Sequence, residues 1–430
     1  MTQLSPLASG VRALLTCDGG AVVSGIVDFV LVQNRAVRLL SSVMQRVTWL
    51  ATTIIVINGI RCFAGVYLVG GGDTVVVARR PNERRAMDRL KSLMPRQQFA
   101  ELRIGWRAGS IFQALAALTE SPGADLRRTV RLARLLTRRY GLFHALRVVE
   151  LLAYYRRYSE LLSVRWFRLA IMSTHSNPHG IALNLVARRF DVPVVLITHG
   201  MPVRPLARLH YDVAIHECEA SAQLYREAGC RMDHVVIKSR RADYIPMRAS
   251  GAGEGFSVGL FLSKDPAEGR VEECVHMLLE DPSVRRIVIR PHPVNLWRGL
   301  SRFVGSLREP RVILHAKGSL ADDLQQCDVV LAGNSTVLLD AVLAGRAACY
   351  VGGLDHGPQD VQGFVRDGLV CEWAPSRRID RAAIARFYQR SEWPDVLRRY
   401  ADIDRGEHEM GAELRLAVDS VTSTGIRAVA

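Results

Sequence analysis

The sequence lacks the signatures of several protein classes. Its 8 cysteines are scattered, with no C-x-x-C pair and no Cys/His cluster at the spacing of metal ligands. It has no P-loop and no G-x-G-x-x-G following a strand. We therefore expect a protein of a reducing compartment that holds no structural metal.

A secretory leader and a membrane span are also missing from the pattern. The first residues have no basic start, apolar core and cleavage site. The nearest approach to a span, from Val47 to Ile60, ends at Arg61 and is shorter than the about 20 residues that a spanning helix needs. We expect a cytoplasmic protein in which this run forms a buried helix or a strand pair.

Aromatic residues make up only 7% of the chain, whereas 57 Lys and Arg against 42 Asp and Glu give a formal net charge of +15. A basic nucleic-acid-binding protein is therefore the non-enzymatic alternative. However, no recognition module has its signature here, and so few aromatics offer no stacking platform for bases. High charge alone argues only for non-specific attraction.

Apolar residues are plentiful, at 49% of 430 residues, which is more chain than one hydrophobic core organises. A small-residue stretch at 249–255 is typical of a linker. We predict a first lobe over 1–248, a second lobe over 256–400 and a helical tail over 401–430.

Short β-branched runs alternate with helical stretches, most clearly after the linker and less cleanly before it. Such alternation predicts an α/β protein with two Rossmann-like lobes, each a parallel sheet covered by helices, and a cleft between them. Ligands of such sheets lie beyond the carboxyl ends of the strands. The predicted strands are 66–72, 74–80, 168–174, 193–199, 212–217, 234–239, 256–263, 285–290, 311–316, 328–333 and 347–352.

The first lobe carries a basic helical insertion over 125–168. From 127 onward its acidic residues are Glu150 and Glu160, and its apolar residues alternate with arginines as in amphipathic helices. One interpretation is peripheral docking on an anionic membrane surface; the other is a solvated face. The arginines are at 127, 128, 131, 134, 138, 139, 147, 156, 157, 165 and 168.

Two strand ends of the second lobe carry phosphate-binding chemistry. Arg290 and His292 project from Arg290-Pro291-His292-Pro293, which the prolines stiffen. Asn334, Ser335 and Thr336 follow another strand, where an N-cap, hydroxyls and helix N–H groups suit a phosphate. Further candidates are Asp340 for a ribose hydroxyl, and Ser263, Lys264 and Asp355 at the rim.

The first lobe offers candidates for a base. His199 ends a strand and precedes a glycine, so its imidazole is placed to accept a proton near neutral pH. His175 and His179 flank another strand-to-helix junction and either line the acceptor side or cap the helix. Asp18 is an alternative base.

The second lobe resembles the nucleotide-binding half of GT-B glycosyltransferases. The order of RPHP at 290–293, then 320–346, then 350–370 is similar to bacterial capsule polymerases, 3-deoxy-octulosonate and sialic acid transferases, and teichoic-acid glycerophosphate polymerases. In the last group a first-lobe His-Gly acts with Arg-x-His-Pro, which matches His199-Gly200 here. The resemblance covers about 190 to 400 and implies CMP- or CDP-activated donors and a metal-independent fold.

Together these features predict an inverting glycosyltransferase that moves a sugar from a nucleotide donor, with a CMP-sugar favoured, to a surface glycan or glycolipid. His292 and the residues beside it stabilise the leaving phosphate, and His199 deprotonates the acceptor. No cofactor beyond the nucleotide-sugar substrate is expected. The enzymatic alternatives are a nucleotide-sugar 2-epimerase of the same fold and a CDP-polyol phosphotransferase.

Overall fold

The computed structural model describes residues 48–105, 131, 134, 135, 137, 138, 142–175, 177–202, 206–247, 255–294, 297–356 and 358–426. The chain divides into two compact units, one of Met1–Lys238 with Glu407–Ala430 and the other of Ser239–Gly406. The C-terminal helix therefore belongs to the first unit. Asp18 lies outside the described residues.

The first unit contains seven strands and six described helices. The strands are β1 Val66–Val69, β2 Thr74–Val77, β3 Phe99–Ile104, β4 Leu169–Met172, β5 Val194–Ile197, β6 His210–His216 and β7 Arg231–Ile237. The helices are α1 Thr48–Ala64, α2 Pro81–Leu93, α3 Leu142–Ser163, α4 Pro178–Arg189, α5 Glu219–Glu227 and, at the C-terminus, α12 Glu407–Ile426.

The seven strands form one sheet in the order β1-β3-β2-β4-β5-β6-β7, parallel except for β1 against β3. Every residue of β2, β4 and β5 is buried, as expected of central parallel strands covered on both faces. Successive side chains of β2 serve opposite cores. Val75 and Val77 pack with α3 and α4, whereas Val76 packs with α2 and α12.

The second unit contains six parallel strands. These are β8 Phe256–Phe261, β9 Val284–Arg290, β10 Val312–Leu314, β11 Val329–Ala332, β12 Ala347–Val351 and β13 Cys371–Trp373. The helices are α6 Glu268–Glu280, α7 Leu300–Leu307, α8 Leu320–Gln325, α9 Val337–Leu343, α10 Arg381–Tyr388 and α11 Trp393–Tyr400. The strand order is β10-β9-β8-β11-β12-β13.

The predicted α/β class with two Rossmann-like units is confirmed, and each predicted strand exists within a few residues of its expected bounds. The strands β3 and β13 were not predicted. The run from Val47 to Ile60 lies in α1, a single helix that leaves Ile57 60% exposed, so it is only partly buried. None of the described helices is both long and apolar enough to cross a membrane.

Candidate functional site

The second sheet has its topological switch point between β8 and β11. The chain proceeds from β8 outward to β9 and β10, then returns to the other side of β8 for β11, β12 and β13. Connections leaving two such strands diverge and open a crevice at their carboxyl ends. Ser263 and Lys264 follow β8 and Gly333 follows β11, so the predicted donor residues lie at this point.

Asp355, which follows β12, is held at this edge by the backbone after β11. The N–H of Asn334 donates to its Oδ2, and Ser263 also hydrogen-bonds the carboxyl group. A Cβ on Gly333 would lie 2.1 Å from Asp355 Oδ2, so only glycine leaves room for the carboxylate. Burial raises the pKa of Asp355, and the other oxygen, Oδ1, is buried without a hydrogen-bond partner. Such an orphan oxygen is suited to accept a ligand hydroxyl.

Asn334 serves mainly the protein itself. Its Nδ2 donates to the carbonyl of Pro358 at 2.8 Å, and its Oδ1 accepts the N–H of Val361 at 3.0 Å. Ser335 Oγ accepts the N–H of Val337, while Thr336 is exposed beside it. Since α9 is only 7 residues long, its end contributes less to anion binding than the prediction assumed, and the two hydroxyls are the polar groups on offer.

His292 presents a donor nitrogen. Its Nδ1 accepts the N–H of Val294 at 3.0 Å, so in the neutral ring the proton resides on Nε2. Partial burial and, after it, the charge of Lys264 lower the pKa of His292. The two side chains thus lie near one another at the ends of β9 and β8, where an imidazole N–H and an ammonium are both available to a phosphate.

The guanidinium of Arg290 turns toward the loop before α8. Its Nη2 donates to the carbonyl of Gly318 at 2.9 Å, and its Nη1 forms a short ion pair with the buried Asp323. Asp323 also contacts Nδ1 of His315. Arg290 therefore braces the end of β9, and its predicted contact with a phosphate would have to compete with a buried carboxylate.

Asp340 is likewise engaged within its unit. Its Oδ1 accepts from Nη2 of Arg240 at 3.1 Å, and Arg240 also pairs with Asp243 at 2.6 Å. Burial alone would lower the pKa of Arg240, but the pairs with Asp340 and Asp243 raise it. A ribose contact by Asp340 would share the carboxylate with this arginine.

In the first sheet, His199 follows β5 and is exposed. Its Nδ1 lies 2.7 Å from the carbonyl oxygen of Ser173, which follows the adjacent strand β4. A carbonyl only accepts hydrogen bonds, so Nδ1 carries the proton and Nε2 presents a lone pair. This is the tautomer that a general base requires at Nε2.

The turn that carries His199 is fastened by a buried lysine. Lys238, at the end of β7, donates its ammonium to the carbonyl of Thr198 and pairs with Glu217 at 2.5 Å. It therefore connects the carboxyl ends of β5, β6 and β7. Sequence reasoning missed Lys238 and Glu217; the available signal was a charged residue directly after each of two apolar strands.

His175 is packed among rings. Its Nδ1 contacts the hydroxyl of Tyr225, whose ring lies 5.0 Å from His175 and 4.7 Å from His216 between centroids. Burial, reinforced by neighbouring histidines, lowers the pKa of both His175 and His216 to about 3. Both are therefore neutral at physiological pH, and Nδ1 of His175 accepts from Tyr225.

His179 is buried in the first turn of α4 next to Glu83, with 3.6 Å between Nε2 and Oε2. Burial lowers the pKa of His179. Burial alone would raise the pKa of Glu83, but the His179 ring and the N–H groups of Arg79 and Arg80 lower it to about 2. Asn177 joins this network by donating to Glu83 Oε1 at 3.2 Å. Glu83 was not predicted, because an acid among arginines at a helix start is usually solvated.

The described arginines of the predicted basic helices are largely paired. Arg156 and Arg157 both contact Glu160, at 3.3 and 3.2 Å, and lie over the ring of Phe63. Arg147 contacts Glu150 at 3.5 Å. The helix α3 that carries them is packed between α1 and α4 rather than free on the surface.

Two groups of acidic residues have metal-ligand geometry or spacing, and arginines neutralise both. His210, Asp212 and Asp233 converge at the amino end of β6, where Arg188 contacts both oxygens of Asp212 at 3.0 Å. The triplet Asp402-Ile403-Asp404 has D-x-D spacing, but its carboxylates pair with Arg405 and Arg398. Neither group lies at the carboxyl edge of a sheet.

No family model matches the chain, and no curated protein matches it in sequence. Solved structures do match. They include the glycosyltransferase of kitacinnamycin, with 11% identity over 81% of this chain and 99% of that one at a TM-score of 0.47. MurG of Acinetobacter baumannii matches with 11% identity over 80% and 99% at 0.44. UDP-GlcNAc 2-epimerase of Neisseria meningitidis matches with 12% over 81% and 99% at 0.42. These values concern fold alone, so the chemistry rests on the side chains described above.

Proposed function

We propose that the protein is a GT-B glycosyltransferase that transfers a sugar from a nucleotide donor to a hydroxyl of a surface glycan or glycolipid. The observation that carries this proposal is the hydrogen bond from His199 to the carbonyl of Ser173. It fixes the ring as a proton acceptor at the edge of a parallel sheet where substrates of α/β enzymes bind.

The first step on the acceptor side is deprotonation. Nε2 of His199 takes the proton of the attacking hydroxyl as its oxygen forms the bond to the anomeric carbon. That bond forms opposite the leaving phosphate, so the configuration inverts. The bond from the anomeric carbon to the phosphate oxygen breaks, and its electron pair leaves with the nucleotide.

The donor side stabilises this departing charge. Nε2–H of His292 and the ammonium of Lys264 supply donors at the ends of β9 and β8, and Ser335 and Thr336 supply hydroxyls after β11. Preorganised donors act where charge develops, and lose no free energy to reorganisation during the reaction. Asp355 Oδ1, buried and unpartnered, accepts a hydroxyl of the donor.

Nucleotide binding tests the donor side. We expect one of CMP, CDP, UDP, GDP and ADP to raise the melting temperature, because a ligand of the folded state stabilises it by mass action. The resemblance favours a cytidine nucleotide. His292→Ala and Ser335→Ala should weaken the response, whereas His276→Ala and Ser306→Ala, exposed side chains on α6 and α7, should leave it unchanged.

The same experiment separates the alternatives. A uridine response together with conversion of a UDP-sugar in the absence of acceptor would replace the transferase with an epimerase. Turnover of a CDP-polyol would indicate the phosphotransferase. Silence toward every nucleotide would contradict the proposal.

A further inference from the structure

Unpaired arginines gather at one end of the first sheet. Arg79 and Arg80 directly follow β2, and Arg84 and Arg85 lie in the first turns of α2. All four are exposed, and no carboxylate among the described residues forms an ion pair with their side chains. In a chain whose other described arginines are mostly paired, four unpaired guanidiniums within one short segment form a distinct positive surface.

Arg147 of α3 reaches the same place. Its Nη2 donates to Oδ1 of Asn177, which lies after β4, the neighbour of β2. Burial lowers the pKa of Arg147, and the charges of Arg80 and Arg79 add to this effect while Glu150 opposes it. The guanidiniums are therefore close enough to repel one another. We call Arg79, Arg80 and Arg147 the arginine edge.

The arginine edge is held by a buried carboxylate rather than by its own side chains. Glu83 Oε2 accepts the backbone N–H of Arg79 at 2.7 Å and of Arg80 at 3.1 Å. Asn177 bridges Glu83 and Arg147. The backbone amides at the start of α2 are thus already satisfied, and the guanidiniums remain available for a ligand.

The arginine edge and His199 share one sheet edge. His199 follows β5, which lies two strands from β2, and neighbouring strands are about 4.8 Å apart, so the two positions are separated by about 10 Å. An acceptor whose hydroxyl meets His199 can extend along this edge to the guanidiniums. Their planar, forked donors match phosphate and carboxylate oxygens.

We infer that the arginine edge binds an oxyanion of the acceptor, a phosphate or carboxylate group, and so selects anionic acceptors over neutral ones. The assignment to the acceptor rests on the proposed function. The anion site itself rests only on the first unit.

Saturation-transfer NMR on the full chain tests this with glucose 6-phosphate, glucuronate and neutral glucose. We expect the two anions to bind and glucose not to bind. Arg79→Gln with Arg80→Gln should weaken the binding of both anions by at least about tenfold, since each removes a charge-assisted hydrogen bond. Arg79→Lys with Arg80→Lys should restore part of it. The control, Arg96→Gln with Arg189→Gln, removes the same charge elsewhere on the unit and should leave binding unchanged.

Each other result overturns the inference. Equal binding of glucose, or anion binding that the arginine-edge variant does not weaken, excludes the site. Loss of anion binding in His292→Ala or Ser335→Ala, instead of the arginine-edge variant, places the ligand on the second unit. Because nucleotide binding is measured separately, a chain that binds anions at the arginine edge but no nucleotide refutes the transferase and retains the anion site.

Discussion

Nδ1 of His199 donates to the carbonyl oxygen of Ser173 across 2.7 Å, and so joins the carboxyl ends of β5 and β4. The bond determines which nitrogen of the ring is free. It also separates His199 from the other histidines of this edge, since His175 and His216 are enclosed by rings and their pKa values fall to about 3. One histidine of the edge is therefore exposed and oriented, while its neighbours are structural.

Replacing His199 should abolish chemistry without abolishing nucleotide binding. We expect His199→Gln to lower the single-turnover rate by about 10²- to 10⁴-fold, the range that general-base catalysis contributes. The nucleotide-induced shift in melting temperature should stay as in the unsubstituted protein, because the donor residues lie in the other unit. His408→Gln, an exposed histidine on α12, is the control. A His199→Gln protein with undiminished turnover would remove this residue from the mechanism.

Gly333 should be irreplaceable as long as Asp355 is present. Gly333→Ala places a Cβ 2.1 Å from Asp355 Oδ2, so the carboxylate must move and the N–H of Asn334 loses its acceptor. We expect a loss of about 1–3 kcal/mol in the free energy of unfolding and weaker nucleotide binding. Adding Asp355→Ala removes the clash, so the two changes together should cost less than their sum.

The control for Gly333 is Gly305, in the interior of α7, where an added Cβ meets nothing within 4 Å. Gly305→Ala should raise stability by about 0.5–1 kcal/mol, because alanine favours the helix. Chemical unfolding of the four variants measures these differences. Additive losses for Gly333→Ala and Asp355→Ala would show that the two residues do not interact.

The central strands could be predicted because their residues are buried on both faces. Segments such as β4 and β5 are continuous apolar runs, which only a covered parallel sheet accommodates. In contrast, β3 mixes buried Ala100 and Leu102 with charged Glu101 and Arg103, and β13 has only 3 residues. Neither has a period or length that distinguishes it from a loop or a helix end.

The candidate site was predictable as a set of strand ends but not as a set of contacts. The sequence placed His199, His292 and Arg290 correctly after β5, β9 and within the end of β9. It could not reveal that Arg290 pairs with Asp323, a residue of another element, or that Glu83 is buried. Both depend on tertiary packing between segments remote in sequence, which local pattern does not encode.

The buried histidines should make the first unit sensitive to mild acid. A histidine with a folded pKa of about 3 and an unfolded pKa near 6.5 is neutral in the fold, so the unfolded state binds the proton first. Stability is therefore complete above about pH 6.5 and falls as the pH decreases, by up to about 1.4 kcal/mol per pH unit for each of His175 and His216.

Thermal melting between about pH 7.5 and pH 5 measures this slope. His216→Gln should lower stability at neutral pH but flatten the slope, since its site no longer titrates. His276→Gln, at an exposed position, should leave the slope unchanged. A slope identical in all three proteins would show that His216 is not buried in its neutral form.

Glu83 should matter both for stability and for the arginine edge. Its folded pKa of about 2 lies below the unfolded value, so its contribution is present above about pH 4.5 and is lost as the pH falls toward 2. Glu83→Gln removes the buried charge that accepts the N–H groups of Arg79 and Arg80. We expect a loss of about 3 kcal/mol in the free energy of unfolding at pH 7, with the acid-induced loss between pH 4.5 and 2 reduced.

The same change should weaken glucose 6-phosphate binding even where the protein stays folded, because the segment that carries Arg79 and Arg80 loses its anchor. Asp88→Asn, which removes an exposed acid on the same helix, serves as the control and should alter neither property. Chemical unfolding as a function of pH and saturation-transfer NMR report the two effects separately. If Glu83→Gln lowers stability but leaves anion binding intact, the carboxylate anchors α2 without positioning the arginines, and Asn177 with Arg147 must hold the arginine edge instead.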